Sequence, residues 1–175
     1  MSVEVLNESG AELDVTEFAR LSRFVMSRMR VHPEAELCVK LVDEATMAEF
    51  NKRYMGKEGP TDVLSFPMDE LRPARDGEAE EDGILGDMLL CPSYAAAQAP
   101  SFNRTADDEM RLLTIHGILH LLGYDHAEPD EEREMFALQA TLLADWRRSR
   151  SAAAARAAQR RSDSAVLGTV GLDDT

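Results

Sequence analysis

Apolar side chains along the chain follow two rhythms, a two-residue period over short runs and a helical period over longer ones. Val3, Val5 and Leu6 predict a first strand, and Asp14 and Thr16 offer caps for a helix that gathers Phe18, Leu21, Phe24, Val25 and Met29 on one face and ends before Pro33. Residues 36–42 (ELCVKLV) alternate as a strand. Asp43 then caps a helix with Met47, Phe50 and Tyr54 on its apolar side, stopped at Gly56. Two more β-type runs follow: Val63 to Phe66 lies between Pro60 and Pro67, and Ile84 to Cys91 lies between the acidic stretch EAEEDG and Pro92. The polar segment 69–83, with Pro73, Gly77 and Gly83, reads as a solvated loop. A short helix is predicted over 93–99 and a long one over 104–122, with Met110, Leu113, Ile118 and Leu121 apolar and a break at Gly123. A last amphipathic helix, 128–148, carries Met135, Leu138, Leu142 and Trp146. The pattern predicts an α+β fold: a small mixed β-sheet packed with helices.

The chain has 175 residues, 44% of them hydrophobic, enough to bury a core without disulfides. Charge changes the picture. Thirty-three acidic residues against 19 basic ones give −14, which argues against binding nucleic acid through a broad basic surface. From Arg147 onward there are six arginines against three aspartates, so the body is acidic and the end mildly basic. Residues 150–175 have almost no large apolar side chain before Val166 and Leu167, so a frayed or disordered extension is expected after a domain over 1–149. No apolar run approaches the roughly 20 residues needed to span a bilayer, and MSVEVLNESG lacks the features of a signal peptide. A cytoplasmic protein with no membrane partner is expected, its Cys38 and Cys91 reduced.

The candidate chemistry concentrates in TIHGILHLLGYDH at 114–126. His116 and His120 are four apart on the long helix, so they share a face with Cβ atoms about 6 Å apart. Gly123 turns the chain and lets His126 return as a third ligand. Three of the four histidines fall within eleven residues of a helix otherwise lined by Ile and Leu, and three imidazoles around one Zn2+ leave a fourth position open, as in catalytic sites. Cys91 is the alternative fourth ligand of a closed, structural site. The spacing matches the zinc-protease pattern, but Gly117 stands where those enzymes carry their glutamate base, which disfavours an amidase or peptidase and leaves phosphodiester cleavage. Asp125 is the candidate to orient a ligand or assist proton transfer, with a plain turn role as the alternative. Asp87, a charge inside a strand, either faces water or supports a partner such as a ligand imidazole.

Taken together, HGILHLLGYDH at 116–126, GPTDVLSFPMDE at 59–70 and LGDMLLC at 85–91 resemble, in order and spacing, the YbeY-type endoribonucleases, bacterial rRNA maturation factors. The resemblance covers about residues 3–148. It implies a single-strand-specific, zinc-dependent endoribonuclease acting in 16S rRNA 3′-end maturation and late ribosome quality control. It also implies one zinc per chain on His116, His120 and His126, and single-stranded rRNA, the small ribosomal subunit and a ribosome-assembly GTPase as partners. The pattern departs at one position: many members carry an arginine after the tyrosine of FNKRYMGKEGPTD, thought to contact the substrate phosphate, where this chain has Met55. Arg53 and Lys57 flank it and are the candidates to take its place, or else ordinary surface charges. The reading from a different class is a non-catalytic ribosome-assembly factor with a structural zinc.

Overall fold

The computed structural model describes the backbone of residues 1–169 and side chains through Leu167. Its strands are β1 (Ser2–Asn7), β2 (Glu36–Leu41), β3 (Val63–Pro67) and β4 (Ile84–Leu90). The helices are α1 (Val15–Arg28), α2 (Glu44–Met55), α3 (Pro92–Gln98), α4 (Ala106–Leu121) and α5 (Pro129–Thr169), with a 3-10 turn at Ala99–Phe102. The sheet order is β1-β2-β4-β3. β1, β2 and β4 run parallel and β3 pairs antiparallel at the edge, so the mixed sheet is present. No described helix is long and apolar enough to cross a membrane.

The caps read from the sequence form as expected. Asp14 accepts from the Thr16 backbone N–H, Asp43 from that of Thr46, and Gly56 closes α2 in the left-handed conformation. Thr105 caps α4 by accepting from the Asp108 N–H at 3.1 Å. One face of the sheet, with Val39, Met88 and Leu90, packs under α1, α4 and α5 in the main core. The other carries a smaller cluster of Val42, Met47, Leu64, Leu89 and Cys91 beneath α2. β2 alternates, with Leu37, Val39 and Leu41 in the main core and Glu36, Cys38 and Lys40 on the other side, whereas β4 is buried over most of its length.

α4 lies at the centre, against β3, β4, α1, α3 and α5. Its buried residues include Thr114, Ile115, Gly117 and Leu119 besides the four predicted from periodicity, because a helix surrounded by partners is apolar nearly all round. Ser65 ties β3 to it by donating to the Gly117 carbonyl at 3.1 Å. The approach is so close that a Cβ on Gly117 would lie 2.5 Å from Met88 Sδ. This joins two of the sequence motifs in space: the PTDVLSF strand presses on the HGILH helix.

The last helix differs from the expectation. The sequence predicts a frayed or disordered extension from residue 150, but α5 continues through Thr169. The physical reason is that alanine-rich sequence added to an existing packed helix needs only propagation, without the nucleation cost of a new one. Beyond Ser149 its described side chains are nearly all exposed, so the extension buries little. The part of the expected tail at 170–175 lies outside the described residues.

Candidate metal centre

The helical repeat sets His116 and His120 one turn apart on the open face of α4, with ring centroids 5.1 Å apart. The chain then leaves the helix at Gly123, whose φ of 94° suits a residue without a side chain. His126 thereby returns to 5.3 Å from the His116 ring and 5.4 Å from the His120 ring. One ligand nitrogen from each ring lies within 4.8 Å of the others, and this is the only such group of His, Cys, Asp or Glu among the described residues. Three imidazole nitrogens suit zinc and leave its fourth position open, so the donor set fits the ion.

Burial pushes His116 below the ordinary imidazole pKa, and His126 adds to this, while its hydrogen bond to the Gln139 amide oxygen and the Asp62 carboxylate oppose it. Burial lowers His120 as well, with the other two histidines adding to it and Asp125 opposing. Both rings therefore stay neutral, the form that binds metal, further into acid than a free histidine does.

The sequence gives no sign of the partner that orients His116. Gln139 of α5 places its amide oxygen 2.6 Å from His116 Nδ1, so Nδ1–H donates to it and Nε2 keeps the lone pair for a ligand bond. Only a helical face count from Phe136 to Leu143 could have marked Gln139, as a polar residue on the side that turns inward. Gln139→Leu is expected to weaken zinc binding about 10- to 100-fold, the range for loss of such a support, with Gln139→Glu retaining it. Titration against a chromophoric chelator measures this, and unchanged affinity in Gln139→Leu would remove the residue from the site.

Asp125 is exposed and accepts from the His126 backbone N–H at 2.7 Å, so it shapes the turn while its charge reaches His120. Asp87 is not brought to the histidines. It pairs across β4 with Cys38, whose thiol is pushed up by burial and then by the Asp87 charge, on the sheet face opposite Met88 and α4. Strand alternation places Asp87 and Met88 on opposite sides, and α4 covers the Met88 side. The carboxylate near His116 is instead Asp62, which accepts from the Val63 N–H at 2.7 Å and from the Gln98 amide at 2.9 Å. Cys91 is fully buried in the small cluster under α2, apart from the histidine group.

A cleft of ≈ 730 Å³ opens beside His116 and His126. One wall is a polar chain in which Gln98 bridges Asp62 and Glu109, and Glu109 pairs with Arg104 at 3.0 Å. The cations lining the cleft are Arg104 and Arg147. Arg53 lies over the Tyr54 ring on α2, and Lys57 is exposed just after that helix; neither these nor Met55 lines the cleft.

Fold and site define the class: an α+β domain whose central helix and following turn gather three histidines able to hold a metal ion at one end of a cleft. The comparison with known proteins is specific. The chain belongs to the Endoribonuclease YbeY family, whose model matches residues 4–147. It is 63% identical over 147 residues to Endoribonuclease YbeY of a Nocardioides species, covering 84% of this chain and 99% of that protein. It is 60% identical to that of Thermobifida fusca over 85% of this chain and 96% of that protein, and 52% identical to that of Rhodococcus opacus over 99% and 98%. Among solved structures, the solution structure of TM1509 from Thermotoga maritima matches with a TM-score of 0.57 and 29% identity, covering 84% of this chain and 93% of that one.

Proposed function

We propose that this chain is a cytoplasmic, single-strand-specific endoribonuclease that holds one zinc ion on His116, His120 and His126 and acts in 16S rRNA 3′-end maturation and late ribosome quality control. Its partners in this reading are single-stranded rRNA, the small ribosomal subunit and a ribosome-assembly GTPase. The observation that carries it is the three-nitrogen donor group, with no fourth protein ligand among the described residues, beside an open cleft. Zinc bound there supplies Lewis-acid polarisation of a phosphoryl oxygen and lowers the pKa of water to about 7. The chain's own residues do the rest: Gln139 fixes the His116 ring, Asp125 holds the turn that presents His126, and the cleft receives the RNA. The catalytic domain of this reading is residues 1–149, in keeping with a family match that ends at residue 147.

A structural zinc in a non-catalytic assembly factor is less well supported, because Cys91 packs under α2 with Val42 and Met47. A peptidase is disfavoured by Gly117, which faces the sheet and leaves no room for a glutamate. The test is cleavage of a single-stranded RNA and its duplex by the zinc-loaded protein, with chelator and with zinc restored. Cutting of the single strand alone, lost on chelation and regained with zinc, is expected. Cleavage indifferent to chelator would refute the metal, and equal cleavage of the duplex would refute the strand preference. In the same assay Arg53→Ala and Lys57→Ala are expected to retain near-normal rates, since neither residue lines the cleft.

A further inference from the structure

An acidic protein that binds RNA must find affinity somewhere other than in a field of lysines. The cleft shows where. Two phenylalanines line it, and both are exposed to an extent unusual for that side chain: Phe136 is 45% and Phe102 54% accessible. Phe136 of α5 stands directly beside the metal-binding group, its ring 6.2 Å from that of His126 at an interplanar angle of 28° and 6.4 Å from that of His116. Phe102, in the turn before α4, carries the Arg104 guanidinium 5.2 Å from its centroid. Between them the cleft is lined by Val63, Leu112, Leu113 and Leu143.

The two cations in this cleft are already partnered. Arg104 is bound to Glu109, which is only 3% exposed, and Arg147 to Asp108 at 2.6 Å. They offer little uncompensated charge to a phosphate. The exposed rings offer apolar faces, and every nucleobase has a face that stacks on an aromatic ring without regard to sequence.

The geometry points to Phe136 and Phe102 as stacking platforms for unpaired bases, so that the cleft holds single-stranded RNA through its bases more than through its phosphates. This rests on the endoribonuclease reading above and adds to it the residues and the force that hold the substrate. Phe136 sets a base beside the histidine group, and Phe102 with its arginine takes a second one further along. A duplex, whose bases are stacked on one another, cannot use either platform, which gives the strand preference a physical origin. The two cleft cations together limit the slope of log K against log[salt] to about −1.4 at most, from roughly 0.7 per neutralised phosphate on a single strand.

The test uses the zinc-loaded full chain, a single-stranded 2′-O-methyl oligonucleotide carrying one 2-aminopurine, and the cleavable RNA of the same sequence. Expected for the unmodified protein are quenching of the 2-aminopurine on binding and a slope no steeper than about −1.4. Phe136→Ala and Phe102→Ala are expected to weaken binding and raise KM roughly 5- to 150-fold each, equivalent to about 1–3 kcal/mol per stacked base, with zinc content and melting temperature unchanged. Phe136→Trp is expected to restore binding, which a merely structural role for the ring would not require. If the unmodified protein cuts RNA but both alanine variants bind as tightly as it does, or the salt slope is several times steeper, the stacking inference is overturned while the endoribonuclease reading stands. If the unmodified protein neither binds nor cuts RNA, both are overturned.

Discussion

Replacing His116, His120 or His126 by alanine, one at a time, is expected to reduce bound zinc from about one per chain to a small fraction and to lower RNA cleavage by on the order of 10³-fold or more. Each imidazole supplies one of three donors, and two are too few for a stable site. The effect on activity follows from the several kcal/mol of charge stabilisation that a metal ion supplies to a phosphoryl transition state. The fold should survive, because none of the three rings belongs to the buried core. Chelation should lower the melting temperature of the unmodified protein and leave that of the histidine variants nearly unmoved, since a ligand stabilises only a chain that binds it. Cys91→Ala is the control and is expected to keep its metal. Elemental analysis of the purified variants decides the matter, and full zinc in all three histidine variants would refute the site.

Gly117→Glu is expected to destabilise the domain by at least about 3 kcal/mol and to confer no peptidase activity. A Cβ at this position would lie 2.5 Å from Met88 Sδ, 3.2 Å from Ser65 Oγ and 3.3 Å from Val63 Cγ2, so the side chain would be driven between α4 and the sheet. The atoms that a carboxylate would meet there are a thioether, a hydroxyl and a methyl, none of them a cation. Gly117→Ala should cost less, about 1–3 kcal/mol from overpacking, offset in part by alanine's better helix propensity and by the flexible end of Met88. Urea denaturation of both variants measures the difference. A Gly117→Glu protein as stable as the parent would show that the contact between α4 and β3 is looser than described.

The same contact explains why this sequence matches the histidine spacing of the zinc proteases but not their glutamate. The residue after the first histidine lies about 100° around the helix, and here that direction meets the sheet. Spacing alone marked the three histidines; the meaning of Gly117 depended on what lay opposite.

Much of this protein was determined by its sequence because the forces involved are local. Apolar periodicity and the side-chain caps at Asp14 and Asp43 fix α1 and α2, and the i, i+4 interval with the turn at Gly123 brings three histidines together whatever surrounds them. The tertiary structure alone decided the roles that depend on distant partners. Gln139 meets His116 across 23 residues, because α5 packs beside α4. Asp87 lies on the sheet face away from the histidine helix, beside Cys38, and strand alternation by itself could not say which side faced the histidines. The cations of the cleft proved to be Arg104 and Arg147, from two segments that meet only in the folded chain, in place of Arg53 and Lys57 beside Met55. Propensity and periodicity act over a few residues, whereas the side chains that share a cleft are chosen by how helices pack on a sheet, which no single stretch of the sequence contains.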